Sequence, residues 1–199
     1  MGDGGPLRRE RVAVATLDGR AYYKALKLLK SLGLKYVLIN PKEEAKGVKV
    51  ILTTRGEGWG DDRILFIDGP KDVKLELLKR LLGEEGDLLM GIDPGKRIGF
   101  VAFYRNVVID GGVYTSVEGL LEKISELSSH FKGRKLVRIG LDTEGLALKM
   151  AESIKRMGLR VELVDERGTT KKSGISRDLE SAKAIAMRRG FEFKGVRQG

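Results

Sequence analysis

The sequence predicts an α/β chain in two parts: a small open α/β sheet, then a mixed sheet built in the order β-β-β-α-β-α-β-α. Three observations predict it. Up to residue 82, short apolar runs alternate with helical patterns, as an open sheet with crossover helices requires. A polar break, Glu84-Glu85-Gly86-Asp87, then interrupts the chain. Beyond it, three apolar runs follow one another across very short turns, which forces antiparallel pairing, before strand–helix alternation resumes. The boundaries read as residues 1–85, a small α/β domain whose role the sequence leaves open, and 87–199.

In the first part, Arg11–Thr16 (RVAVAT) reads as a buried strand. Asp18 is placed to cap a helix over Arg20–Leu32, whose Ala21, Ala25, Leu28, Leu29 and Leu32 share one face and which Gly33 stops. Tyr36–Asn40 is a second strand, Pro41–Lys46 a turn or short helix, Val48–Thr53 a third strand, Gly56–Asp62 a loop, Arg63–Asp68 a fourth strand, and Val73–Leu82 a helix ended by Gly83. In the second part the strands are Leu88–Asp93, Ile98–Tyr104 and Asn106–Tyr114. A helix over Val117–Phe131, a strand over Leu136–Leu141, a helix over Glu144–Met157, a strand over Arg160–Val164 and a helix over Asp178–Arg189 complete it.

Composition narrows the chemistry. The 199 residues include no Cys and one His, His130. That excludes a disulfide scaffold, a thiol nucleophile and a Cys-ligated zinc or iron–sulfur site, and leaves no His pair for zinc. A bound metal would sit on carboxylates, which favours Mg²⁺ or Mn²⁺. The 38 basic against 28 acidic residues give a net charge of +10, which points to a polyanion partner, most simply nucleic acid. Two Asn, one Gln and 33% charged residues resemble a thermophile's protein. No apolar run is long enough to span a membrane and Met1–Glu10 has no secretory h-region, so a cytoplasmic location is expected.

Several acids fall at the C-terminal ends of the strands read above. Asp93 ends the first strand of the second part and is followed by Pro94-Gly95; the tripeptide also reads as a plain hairpin turn. Asp142 follows the fourth strand and Glu144 opens the next helix, where either also serves as a helix-start residue. Asp165-Glu166-Arg167-Gly168-Thr169-Thr170 follows the fifth strand. Asp178 starts the last helix, with Ser176 as its N-cap. In an open α/β sheet the C-terminal ends of parallel strands share one ligand-binding edge. Carboxylates gathered there repel one another unless a cation is bound, the arrangement that two-metal phosphodiester hydrolysis uses, with no need of His or Cys.

Leu89–Phe103 (LMGIDPGKRIGFVAF), Val161–Thr170 (VELVDERGTT) and Asp178–Ala186 (DLESAKAIA) together resemble the RuvC/YqgF branch of the RNase H-like nuclease superfamily. Asp-Pro-Gly is similar to the RuvC-type Holliday junction resolvases, and the Lys96-Arg97-Ile98-Gly99 run and the DERxTT loop look closer to YqgF, the pre-rRNA processing nuclease. The resemblance covers about residues 87–190. It implies an RNase H-like sheet and a divalent-metal-dependent nuclease acting on branched DNA or structured RNA. It also implies Asp93 and Asp178 as metal ligands and Glu166 as a catalytic acid. Asp142 is the choice for the fourth-strand acid, with Glu144 in reserve. The chain departs from the pattern at Ser181, where RuvC-type enzymes carry a second acid, and at Gly168, where YqgF has Leu. The alternative is a nucleic-acid-binding protein that keeps the fold without catalysis. A homodimer is implied by the resemblance alone.

Basic residues support a phosphate-binding role near these acids. Residues 87–199 hold 21 basic and 15 acidic residues, a net of +6. Lys96 and Arg97 lie in the Asp-Pro-Gly turn, and Arg167, Lys171, Lys172 and Arg177 lie between Glu166 and Asp178, positions suited to phosphate contacts. Trp59, the sole Trp, sits in the Gly-rich loop, where it either stacks on a base or packs locally, the commoner outcome.

Overall fold

A computed structural model describes residues 12–69, 72–141, 145–165 and 175–195. The chain divides into two compact units, Met1–Glu84 and Glu85–Gly199.

In the first unit, strands β1 (Val12–Val14), β2 (Tyr36–Leu38), β3 (Val50–Thr53) and β4 (Ile64–Phe66) form a parallel sheet in the order β2-β1-β3-β4. Helix α1 (Gly19–Ser31) starts where Asp18 accepts hydrogen bonds from Arg20 N and Ala21 N, at 2.8 and 2.9 Å. Asp72 caps α2 (Val73–Leu82) in the same way, with Lys74 N at 2.9 Å and Leu75 N at 3.2 Å. Each cap satisfies amide N–H groups that the first helical turn leaves unpaired. Val12, Val14, Val50 and Leu52 pack with Ala25 and Leu29 of α1 and Leu77 and Leu81 of α2. Residues of opposite parity, Ala13, Ala15 and Ile51, face a second cluster closed by Ala45, Val48 and the half-buried Trp59. Trp59 therefore packs against the sheet and is not held out as a stacking platform.

In the second unit, β5 (Leu88–Asp93), β6 (Ile98–Tyr104) and β7 (Val107–Tyr114) form an antiparallel meander. Then come α3 (Val117–His130), β8 (Lys135–Gly140), α4 (Leu146–Arg156), β9 (Arg160–Val164), α5 (Ile175–Met187) and the short β10 (Phe191–Glu192). The sheet order is β10-β9-β8-β5-β6-β7, with β5, β8 and β9 mutually parallel. The fold is α/β, and the second unit has the β-β-β-α-β-α-β-α order that the sequence predicts, followed by β10. The strand β10 goes beyond the sequence reading. It adds an antiparallel edge to β9 by two residues only, too few to leave a periodic signal.

Alternation along β5 and β6 divides the sheet's two faces. Leu88, Met90, Ile92, Phe100 and Tyr104 point to one side and are almost wholly buried; there Phe131, at the end of α3, lies against Tyr104 with ring centroids 4.3 Å apart. Leu89, Val101 and Phe103 point to the other side and pack against Ala182 and Ala186 of α5. No helix among the described residues is long and apolar enough to cross a membrane.

Candidate functional site

The position of α5 is set by two glycines inside strands. A Cβ on Gly91 would lie 2.2 Å from the Ala182 carbonyl oxygen and 2.7 Å from the Ala186 Cβ. A Cβ on Gly99 would lie 2.1 Å from the Asp178 carbonyl oxygen. Both strands are therefore stripped of side chains where the helix backbone crosses them. Asp93 pairs with Gly99 across β5 and β6, so the close approach at Gly99 brings Asp178 to the end of β5.

Helix α5 begins at Ile175, three residues earlier than the sequence indicates, so Asp178 belongs to its first turn and Ser176 lies inside the helix. Ile175 is the one apolar residue of the first turn, and the polar and glycine run Thr169–Gly174 ahead of it reads as loop, which hides the helix start. An acid in the first turn suits the positive end of the helix dipole.

Asp93, Pro94, Gly95, Lys96, Arg97, Arg177 and Asp178 line one open pocket of about 250 Å³. Asp93 is half-buried. Burial pushes its carboxyl above the ordinary range, the Asp178 charge pushes the same way, and the Ser181 hydroxyl, hydrogen-bonded to it, and Arg177 pull it back. Asp178 Oδ2 is buried and accepts no hydrogen bond among the described residues. Arg97 Nη2 approaches it to 3.0 Å, an ion pair without hydrogen-bond alignment. A buried carboxylate oxygen without a donor is costly, and so is a half-buried carboxyl such as Asp93 beside a second negative charge. Both costs fall if a hard cation shares the oxygens, so the donor set fits Mg²⁺ or Mn²⁺. Among the described residues no third carboxylate completes a cluster.

The structure thus brings together Asp93, Asp178, Lys96, Arg97 and Arg177. Asp142, Glu144, Glu166, Arg167, Lys171 and Lys172 lie outside the described residues. The parallel strands β8 and β9, which precede Asp142 and Glu166, end on the same edge as β5. Asp165, immediately after β9, is exposed.

Sequence reasoning takes Arg97 as a phosphate contact and gives Ser181 no partner, whereas here Arg97 faces Asp178 and Ser181 faces Asp93. A further buried pair carries no motif. Arg138 Nε on β8 meets Glu162 Oε2 on β9 at 2.9 Å, and Arg138 Nη1 donates to the Ala186 carbonyl at 2.6 Å. Arg138 lies beside Gly91 in the sheet and satisfies a carbonyl of the last turn of α5, holding the helix at its far end. The one available signal is a pair of opposite charges in register on two central strands.

No known family model matches the chain, and no curated protein matches it. Among solved structures, the Argonaute of Marinitoga piezophila, described in complex with 5′ OH guide RNA, aligns at 11% identity and a TM-score of 0.29, over 84% of this chain and 42% of that one. The chain spans less than half the length of that protein, and a likeness of this degree transfers neither fold nor activity.

Proposed function

We propose that residues 87–199 form a divalent-metal-dependent nuclease that hydrolyses phosphodiester bonds in branched DNA or structured RNA. The observation that carries the reading is the Asp93–Asp178 pair, seated at one sheet edge with Asp178 Oδ2 buried and without a hydrogen-bond donor. Asp93, Asp142 and Asp178 would hold Mg²⁺ or Mn²⁺, with Glu166 completing the site or positioning water and Glu144 in reserve. Bound there, the metal would supply an activated water and charge neutralisation at the departing oxygen. Lys96, Arg97, Arg167, Lys171, Lys172 and Arg177 would contact phosphates, which fits the net charge of +10. Ser181 holds Asp93 in place from the helix. Two copies working on a two-fold junction would suit a homodimer.

The test is cleavage of four-way DNA junctions and of rRNA-precursor fragments with Mn²⁺, beside an Asp93→Asn control. Metal-dependent cleavage that is lost in the control is the expected result; cleavage surviving in the control excludes this site. Ser181 favours a second reading, in which the protein binds nucleic acid without cutting it. The hydroxyl beside Asp93 carries no charge where RuvC-type enzymes are expected to have a second carboxylate. Salt-sensitive binding with no cleavage under any divalent ion decides for that reading.

A further inference from the structure

A broad concavity lies at the other end of the second sheet. It has a volume of about 1430 Å³ and is lined where β5, β8 and β9 begin and where β6 turns into β7. Asp93 ends β5 and Leu88 begins it, so the groove and the carboxylate pair are separated by the length of that strand, about 17 Å at the usual strand rise. A groove of this size exceeds the usual small-molecule pocket and suits a polymer.

Its walls are basic. Arg105, Arg134, Lys135, Arg138 and Arg160 line it against two acids, Glu85 and Asp87. Arg138 is committed to Glu162 and to α5, as described above. Arg134 is held by Asp87, with Nη2 2.9 Å from Oδ2, but both side chains are well exposed, at 88% and 61%. Such a pair is weakly held and exchanges readily for another anion. Arg160 reaches its carboxylates only at 3.6 Å.

Arg105 is placed there at a cost. It occupies the β6–β7 turn with φ of +50°, a left-handed conformation that is unfavourable for a residue with a Cβ and that hairpin turns normally give to Asn or Gly. Its stem rests on Gly86, where a Cβ would come within 2.5 Å of Arg105 Cγ. Strain of this kind persists where the surroundings over-determine it and clusters at binding sites. On the α3 wall, Ser128 Oγ is buried and takes part in no hydrogen bond among the described residues. Multiple guanidinium and ammonium donors with hydroxyls on one wall are the chemistry of phosphodiester recognition.

We infer that this groove is a second nucleic-acid contact, which takes the phosphate backbone at the sheet edge opposite the carboxylate pair. It engages a stretch of strand remote from any scissile bond, through Arg105, Arg134, Lys135 and Arg160, and adds affinity without sequence preference. The inference shares its ligand class with the proposed nuclease but not its residues.

The experiment is fluorescence anisotropy of a labelled single-stranded RNA, titrated with the full chain across a range of KCl without divalent metal. The wild-type dissociation constant should rise steeply with salt. The Lys135→Glu, Arg160→Glu double variant should bind roughly ten- to a hundredfold more weakly and lose about two units of the log–log salt slope, about one per phosphate contact. The charge-preserving Lys135→Arg, Arg160→Lys variant should bind like wild type, and circular dichroism melts check that both fold. A folded double Glu variant with unchanged affinity and slope overturns the inference, as does a wild-type chain that binds no RNA. Equal displacement of the RNA by poly-glutamate also overturns it, since the groove would then select carboxylates. Cleavage assays run in parallel keep the two claims apart. Protein that binds through the groove but never cuts sinks the nuclease alone, and protein that cuts with an unchanged salt slope sinks the groove alone.

Discussion

Gly99 and Asp178 are in backbone contact: a Cβ on the glycine would stand 2.1 Å from the carbonyl oxygen of the aspartate. This contact places one carboxylate of the candidate site beside the other, because Gly99 is also the sheet partner of Asp93. Gly99→Ala should therefore do two things. It should destabilise the second unit by about 1–3 kcal/mol, the range for overpacking a tight contact, and it should weaken Mn²⁺ binding by pushing α5 off the sheet. Denaturant melts and Mn²⁺ titration followed by electron paramagnetic resonance read the two effects. A stable variant with undiminished Mn²⁺ affinity would show that the approach of α5 does not set the carboxylate spacing.

Asp93 ionises above its ordinary value of 3.8, mainly because it is buried. Its folded pKa exceeds its unfolded one, so the folded state binds more protons between the two values, and stability falls as pH rises through that window. Above it, ionised Asp93 is a standing cost. Asp93→Asn should accordingly be more stable than wild type at neutral pH without metal, with the difference vanishing below the ordinary Asp range. Urea melts at several pH values measure this. A variant less stable than wild type at pH 7 would mean that the hydrogen bond from Ser181 outweighs the burial.

Arg97 holds a positive charge 3.0 Å from Asp178 Oδ2, in the place where a metal ion would compensate that oxygen. Arg97→Ala should tighten Mn²⁺ binding by about two- to fivefold, the worth of a partly exposed ion pair, while weakening nucleic-acid affinity through the lost phosphate contact. Isothermal titration with Mn²⁺ alone separates the two effects. Weaker Mn²⁺ binding in the variant would assign Arg97 to holding the site together instead of competing for it.

How much of this was legible in the sequence differs by element. The bounds of α2, β5, β6 and β9 follow from apolar runs closed by Gly, Pro or charge, and the structure has the same limits. The start of α5 and the whole of β10 escape, since a single apolar residue, Ile175, after a polar run and a two-residue strand leave too little period to read. Asp93 and Asp178 stand out as acids at a strand end and a helix start. Their proximity rests on Gly91 and Gly99, which in a sequence are only interruptions of apolar runs. Their meaning, that a helix backbone crosses there, depends on a partner some 80 to 90 residues away. Arg138 and Glu162 were invisible for the same reason. Each looks like an ordinary strand charge until the pairing of β8 with β9 sets them side by side.

That pair gives a sharp stability test. Arg138 and Glu162 retain only 14% and 11% side-chain exposure, and Arg138 also ties down α5. Arg138→Ala leaves the buried Glu162 carboxylate with two long contacts, Arg160 at 3.6 Å and the Gly190 N–H at 3.4 Å, and should cost about 3 kcal/mol. The double replacement Arg138→Met, Glu162→Leu removes both charges together and should cost much less. Thermal melts of the single and double variants give the coupling. If both lose the same stability, the ion pair is incidental and the loss lies in the α5 contact.

Ser181 offers the most direct probe of the site's electrostatics. Its hydroxyl hydrogen-bonds Asp93 and lowers that group's pKa, and it lies one helical turn after Asp178 on the same helix. Ser181→Asp would replace that donor with a third carboxylate facing two that already repel. Without metal the variant should melt lower, by about 2–4 °C for each kcal/mol of added repulsion in a chain of this size. Mn²⁺ should then raise its melting temperature more than it raises that of wild type, because a cation relieves repulsion in proportion to the charge gathered. A variant destabilised equally with and without Mn²⁺ would show that the Asp93–Asp178 edge does not hold a divalent ion, and the proposed nuclease chemistry would fall with it.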